Sequence, residues 1–309
     1  MRRREPVMDG LIAVDKPAGM TSHDVVDRVR RGLHERRVGH AGTLDPAATG
    51  VLLVGVGQAT KLLGRLTLDD KRYEARVVLG QETETDDAEG AVTGGAPAPE
   101  RLADPAVASA VVASMVGELE QVPPAFSAIS VNGRRAYDAA RAGEAVELQP
   151  RTVEVLDARL IDARVGEVPG TVEWDCAFSV SKGCYIRALA RDLGRELGCG
   201  GHLGQLRRTS SGAVDLSRAV ALEELAEGGV EAARGALLDP VELVGLPVRV
   251  LTEHEQLMAA QGKRLRWNGA DGSVSLVRDD RLYGIWTAAH GSLSCDLNLV
   301  RGVEGVRRG

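Results

Sequence analysis

Apolar positions along the chain divide it into elements. Gly10-Leu11-Ile12-Ala13-Val14-Asp15 reads as a buried strand, ended by the turn Lys16-Pro17-Ala18-Gly19. A helix follows, because Thr21 and Asp24 have capping-box spacing and Val25, Val26, Val29 and Leu33 form a stripe opposite Arg28, Arg30 and Arg31. Val51-Leu52-Leu53-Val54 is a second buried strand, Gln58 to Leu66 a helix, Lys71 to Leu79 a third strand and Gly94 to Pro99 a surface loop. Asp104 and Pro105 open a helix on which Val107, Val111, Val112, Met115, Val116 and Leu119 share an apolar face. Alternation of Val172, Trp174, Cys176, Phe178 and Val180 marks a strand buried on one side, running into Lys182-Gly183-Cys184-Tyr185. Ile186, Leu189, Ala190, Leu193 and Leu197 then follow the helical period up to Gly198.

Strands interleaved with helices, without regular βαβ spacing, predict an α+β fold: a largely antiparallel central sheet flanked by helices. Ala219 to Leu238 reads as helical and Pro240 to Pro247 as a connector. Beyond it, Val248 to Thr252, a short helix at Glu253 to Ala260, and strands near Ser273 to Val277, Leu282 to Trp286 and Ser294 to Val300 predict a small β-rich domain. The expected domains are therefore 1–246 and 247–309.

Composition narrows the classes. With 309 residues and 44% hydrophobic content the chain can bury one large core with material left for a second domain. No apolar run approaches the roughly 20 residues that span a bilayer, and Met1-Arg2-Arg3-Arg4 leads into no apolar signal segment, so a cytoplasmic protein without membrane association is expected. Cys176, Cys184, Cys199 and Cys295 lack zinc-site spacing and read as reduced thiols. The net charge of −6 disfavours nucleic-acid binding only as a total. Basic residues gather at Arg28 to Arg37, Lys71-Arg72, Arg134-Arg135 and Arg207-Arg208, and acids at Glu82 to Glu89 and Glu223 to Glu231, which permits a basic face. Only Lys16, Lys61, Lys71, Lys182 and Lys263 are lysines among 38 basic residues, which marks them as places suited to a compact ammonium.

The stretch Gly39 to Gly50 is rich in glycine, but no Gly-Lys-Ser/Thr follows, so it is not a nucleotide-phosphate loop. It holds one carboxylate, Asp45, biased towards extended backbone by Pro46. Taken alone, such an Asp-Pro is a turn element.

The run Gly39-His40-Ala41-Gly42-Thr43-Leu44-Asp45-Pro46-Ala47-Ala48-Thr49-Gly50 closely resembles the signature of the TruB family of bacterial tRNA pseudouridine synthases. Asp15 to Ser22, Asp70-Lys71-Arg72-Tyr73-Glu74, Pro123 to Ala128, Gly133 to Tyr137, Ser181 to Arg187 and Leu206-Arg207-Arg208-Thr209 resemble further family motifs, in family order across about residues 10–215. The resemblance implies a pseudouridine synthase fold with a PUA-like C-terminal RNA-binding module. It also implies an isomerase, without cofactor or metal, acting on the T-loop uridine at position 55 of tRNA. Uridine is detached at N1, turned over and rejoined through C5, after being flipped from the loop at a cost of a few kcal/mol. Asp45 would be the nucleophile at C1′ or the base at C2′. Arg187 would keep Asp45 ionised. Tyr73 would stack on the uracil and assist C5 proton removal, with Tyr185 and Leu206 lining the pocket. His40, Lys16, Lys61, Arg207 and Arg208 would bind substrate, Arg36, Arg37 and Arg134 the RNA backbone, and Lys263-Arg264-Leu265-Arg266-Trp267 RNA from the C-terminal module.

Three positions depart from the family pattern: Ser130 for lysine, Cys184 for threonine and Phe126 for tyrosine. Two other functions compete. One is a non-catalytic tRNA-binding or tRNA-folding protein on the same scaffold. The other is a Mg²⁺-dependent hydrolase built on Glu82, Glu84, Asp86 and Asp87. The partner expected is the T arm of tRNA, with no obligate protein partner evident.

Overall fold

A computed structural model describes residues 7–127, 130–131, 134–135 and 148–307. Ala128, Gly133, Ala136 and Tyr137 of the expected motifs, the N-terminal arginines, and the side chains of Ser130, Arg134 and Arg135 lie outside the described residues. Two compact units form, one of residues 1–69 with 210–309 and one of residues 70–209.

In the first unit the strand Gly10–Lys16 pairs antiparallel with Thr49–Val56 along its whole length and parallel with Ala219–Ala221. Both strands are apolar at nearly every position because both faces are covered. Ile12, Val14, Leu52 and Val54 pack against Val25, Val26, Val29 and Leu33, the stripe expected on the first helix, and against Leu222 and Leu225. Leu11, Ala13, Val51 and Leu53 face the other way, onto Val277, Leu282, Ile285, Leu299 and Val303. Each such side chain contributes about 2 kcal/mol by leaving water. The helix Ser22–Gly32 begins at Thr21 with the reciprocal capping box that Asp24 predicted.

The C-terminal β-rich part is a five-stranded sheet in the order Val248–Val250, Gly272–Arg278, Arg281–Ala289, Ser292–Glu304, Leu265–Arg266. One cluster of its own, including Leu251, Ala259, Leu276, Trp286 and Leu293, joins it to the helix Glu253–Ala260. The boundary expected near residue 246 falls between the helix Pro240–Val244 and this sheet, yet packing runs across it. Buried Asp9 accepts from Arg301 Nε and Nη2 at 3.0 Å each, a further tie between the chain's two ends.

The second unit is an antiparallel sheet. Val172–Val180 lies between Lys71–Leu79 and Arg151–Val165, with Gly117–Gln121 beyond the latter and Gly201–Ser211 beyond Lys71–Leu79. The alternation of Val172, Trp174, Cys176, Phe178 and Val180 is buried as the pattern predicted. Buried Trp174 donates Nε1–H to Leu102 O at 2.7 Å. The helix Ile186–Glu196 packs on the strand Lys71–Leu79. A Cβ on Gly194 would stand 2.2 Å from Gly201 N, so only glycine lets this helix rest on the backbone of its following strand.

The α+β class and the largely antiparallel sheet stand, and several elements differ from expectation. Gln58 to Leu66 is a 3₁₀ turn, Gly57–Lys61, followed by the short helix Leu63–Leu66. The helix Pro105–Ala113 stops early, because Gly117 at φ 132° opens the strand that carries Leu119, and Val116 is exposed. Leu222–Gly235 is helical with a kink at Gly229, and short strands flank it. Asp239 caps a helix within the expected connector, accepting from Val241 N and Glu242 N.

Candidate active site

Asp45 is half-buried on the loop between the strands Val38–Ala41 and Thr49–Val56, and the backbone on both sides of it is tied down. Ser22, buried in the first turn of its helix, donates Oγ–H to Leu44 O at 3.1 Å and accepts from Leu44 N at 2.9 Å. On the other side, Pro46 O accepts from Lys16 Nζ at 3.1 Å and from Gly19 N at 2.9 Å. Ala48 N closes the turn onto Asp45 O at 3.1 Å. Asp45 therefore sits at a fixed place in its unit through contacts that do not use its carboxylate.

Lys16 is wholly buried and donates also to Pro17 O at 2.9 Å. Its ammonium gathers carbonyls at the end of the first strand, a task for a compact point charge rather than a guanidinium, which accounts for lysine here in an arginine-preferring chain. Ser22 was not singled out from sequence; the available signal was a second hydroxyl beside Thr21, which already serves as the cap. Ser22→Ala should leave both backbone groups of buried Leu44 unsatisfied and cost about 2 kcal/mol. Urea unfolding monitored by tryptophan fluorescence checks this: a midpoint equal to wild type would contradict the tie.

In the second unit the start of the helix Ile186–Glu196 carries Tyr185 at its cap position and Arg187 in its first turn. Arg187 is 5% exposed. Its Nη1 donates to Thr85 O at 2.9 Å and lies 3.4 Å from Asp87 Oδ2, and its Nη2 donates to Phe126 O at 2.9 Å. The next arginines at helical spacing repeat the pattern: Arg191 Nη1 meets Asp86 Oδ2 at 2.9 Å, and Arg195 Nε meets Glu82 Oε1 at 3.2 Å. Arg191 also donates Nη2–H to Val122 O at 2.8 Å.

Three acids of the segment expected to be either solvated or a cation site, Glu82, Asp86 and Asp87, thus pair with one face of the helix that carries Arg187. Thr83 Oγ1 to Asp87 O at 2.7 Å and Thr85 Oγ1 to Asp87 Oδ1 at 2.5 Å shape its turn. Burial pushes the Asp86 carboxyl above its ordinary range against the opposing effect of Arg191. Among the described residues no group of three or more His, Cys, Asp or Glu side chains is placed to hold a metal ion. Sequence reasoning named Asp87 only as a cation ligand and missed its pairing with Arg187, although the match of acids at 82, 86 and 87 to arginines at 187, 191 and 195 was available to it.

Tyr73 is buried on the inward row of the strand Lys71–Leu79, opposite Phe178. His40 is half-buried opposite Val54. Leu206 and Arg207 are half-buried on the strand Gly201–Ser211, whereas Arg208 is 1% exposed, so burial removes it from the surface expected to meet RNA phosphates. Exposed Lys61 donates to Asn298 O at 2.7 Å, a tie to the C-terminal sheet. Arg36 and Arg37 are exposed, the latter donating Nε–H to Thr60 Oγ1 at 2.9 Å. Burial pushes the Cys184 thiol up to about 12, so it stays protonated.

Residues 30–186 match the family described as TruB family pseudouridylate synthase, N-terminal domain, and residues 187–244 match the tRNA pseudouridylate synthase B C-terminal domain. The C-terminal five-stranded sheet lies beyond both matches. The chain is 48% identical over 276 residues to the tRNA pseudouridine synthase B of Thermobifida fusca (strain YX), covering 88% of this chain and 92% of that protein. It is 49% identical over 271 residues to the enzyme of the same name in Mycobacterium sp. (strain KMS), covering 88% and 89%. In fold it resembles a solved H/ACA RNP bound to a substrate RNA containing 2′-deoxyuridine, with a TM-score of 0.64 at 24% identity over 94% of this chain and 84% of the other. The archaeal box H/ACA sRNP Nop10-Cbf5 complex gives the same TM-score at 25% identity, covering 94% and 86%. Fold and sequence agree, and the chain belongs to the TruB family of pseudouridylate synthases.

Proposed function

We propose that this chain converts the uridine at position 55, in the T loop of tRNA, to pseudouridine, with Asp45 as the catalytic carboxylate. The observation that carries the reading is Asp45 itself, present in the family signature and held on a loop tied at Leu44 and Pro46. A protein that only binds tRNA has no need of a carboxylate so placed.

The reaction breaks the N1–C1′ bond, turns the uracil over and joins C5 to C1′; the C5 proton leaves and N1 ends protonated. Asp45 acts either by adding to C1′ or by taking a proton from C2′, and both roles require its ionised form. Arg187 sustains that form, Tyr73 stacks on the uracil and assists loss of the C5 proton, and Tyr185 and Leu206 line the base. His40 and Arg207 bind the substrate, while Arg36 and Arg37 contact the RNA backbone. Exposed Lys263, Arg264 and Arg266 on the PUA-like module add phosphate contacts beside Trp267, whose ring lies 5.8 Å from the Arg249 guanidinium carbon.

Incubation of the protein with an unmodified tRNA transcript in EDTA, followed by chemical mapping of pseudouridine, tests the reading. Product is expected at position 55 alone. Modification confined to another loop would overturn the substrate assignment, and binding without product would favour the non-catalytic reading.

A further inference from the structure

Gln121 and Arg151 converge on Tyr185 from neighbouring strands. Gln121 closes the strand Gly117–Gln121, and its cross-strand partner is Arg151, the first residue of the strand Arg151–Val165. Gln121 is 0% exposed. Its Oε1 accepts from Tyr185 N at 2.8 Å and its Nε2 donates to Tyr185 O at 3.1 Å, so one side-chain amide clasps both backbone groups of one residue. The guanidinium carbon of Arg151 lies 5.4 Å from the centroid of the Tyr185 ring.

The clasp matters because of what this helix lacks. Tyr185 occupies the cap position of the helix Ile186–Glu196 and provides no side-chain cap hydrogen bond. Helices that begin in this way usually begin at Ser, Thr, Asp or Asn, whose side chain anchors the first turn. Here the anchor comes from another strand, and it fixes the peptide rather than the side chain. The preceding loop is held separately, by Ser181 N to Glu154 O at 2.9 Å and Glu154 N to Ser181 Oγ at 2.9 Å. Gln121 therefore sets where the helix starts, and two residues later the chain reaches Arg187.

We infer that Gln121 is a positioning residue for the isomerisation, fixing the Tyr185 backbone and through it Arg187, while Arg151 holds the Tyr185 ring by cation–π contact. The inference rests on the roles proposed above for Tyr185 and Arg187. Gln121 touches no substrate in this arrangement; it acts through the turn it clasps. An amide is required, since a carboxylate would set a negative oxygen against Tyr185 O, and an apolar side chain would leave Tyr185 N unanswered and Tyr185 O with only its helical bond from Leu189 N.

The test separates rate from binding, using full-length protein and tRNA transcript. Gln121→Leu should slow single-turnover pseudouridine formation by about 100-fold, the scale of a displacement of about an ångström at a reacting centre. Its tRNA Kd should stay within about threefold of wild type, because the charges that set affinity are untouched. Gln121→Glu should do no better than Gln121→Leu. Arg151→Met, at a half-buried position that leaves the clasp intact, should slow the reaction by about fivefold, with no further loss in a Tyr185→Leu background where the ring is gone. Should Gln121→Leu fail to bind tRNA or to unfold cooperatively, Gln121→Asn, which keeps an amide but is too short to reach both Tyr185 groups, takes its place with the same expected loss of rate. Wild-type single-turnover rates in folded Gln121→Leu, or additive effects in the cycle, would overturn the inference. Failure of the underlying reading shows up elsewhere, as an active Asp45→Asn enzyme.

Discussion

Asp45→Asn is expected to lose pseudouridine formation by about 10⁴-fold under single-turnover conditions while tRNA affinity stays near wild type. The substitution is close to isosteric. Ser22, Lys16 and Gly19 hold the neighbouring backbone at Leu44 and Pro46, so the loop should keep its shape when the carboxylate becomes an amide. What disappears is negative charge, and with it either covalent attack at C1′ or proton abstraction at C2′. Release of tritium from tRNA labelled at uridine C5 reads the last step, and filter binding reads affinity. Turnover within about tenfold of wild type would remove Asp45 from the chemistry, since a positioned acid, base or nucleophile contributes at least about 10²-fold. Loss of both binding and turnover would instead mean that the amide disturbs the loop, and Ser22→Ala provides the comparison for a disturbed loop with an intact carboxylate.

Elements governed by local periodicity were readable from sequence. The first helix with its capping box, the alternating strand Val172–Val180 and the helix Ile186–Glu196 depend on spacing within one segment, and each forms where the pattern places it. The strand Arg151–Val165 was not recognised because its exposure is irregular, with register shifts against its neighbour and with exposed Leu156, Ile161 and Val165. The strand Gly201–Ser211 was visible only as a motif, since its arginines and serines give no apolar alternation. Asp45 was legible as a family signature but not as chemistry, because an Asp-Pro in a loop has the same local pattern whether it is a turn or a catalyst. Least legible were the residues that place others. Lys16, Ser22, Asp87 and Gln121 all act over long sequence separations on backbone groups or buried charges, and no single-segment pattern encodes such contacts. Arg208 shows the converse, a basic residue expected on a surface facing RNA that the fold buries.

Arg187→Lys is expected to slow the single-turnover reaction by about 10³-fold although the formal charge is unchanged, on the scale of losing one preorganised charged group. The guanidinium reaches Thr85 O, Phe126 O and Asp87 at once through two terminal nitrogens. A lysine ammonium on a thinner stem cannot span that fork, so its charge would settle towards one partner and move away from the position the planar group holds. Because charge is retained, tRNA affinity and its salt dependence should stay near wild type, and the loss should appear in rate. Arg187→Met goes further, leaving the half-buried Asp87 carboxylate without its cation and the Thr85 and Phe126 carbonyls without their donor, and should cost about 1–3 kcal/mol of folding free energy. Stability and catalysis can then be told apart with one more variant. Arg187→Met with Asp87→Leu removes the stranded charge along with its partner, and exchanging a buried pair for apolar side chains is often neutral for stability. Urea midpoints should therefore recover in the double variant while tritium release stays as low as in Arg187→Met. Recovery of rate together with stability would show that Arg187 serves the fold alone, and persistent low rate in a well-folded double variant would place its guanidinium in the reaction.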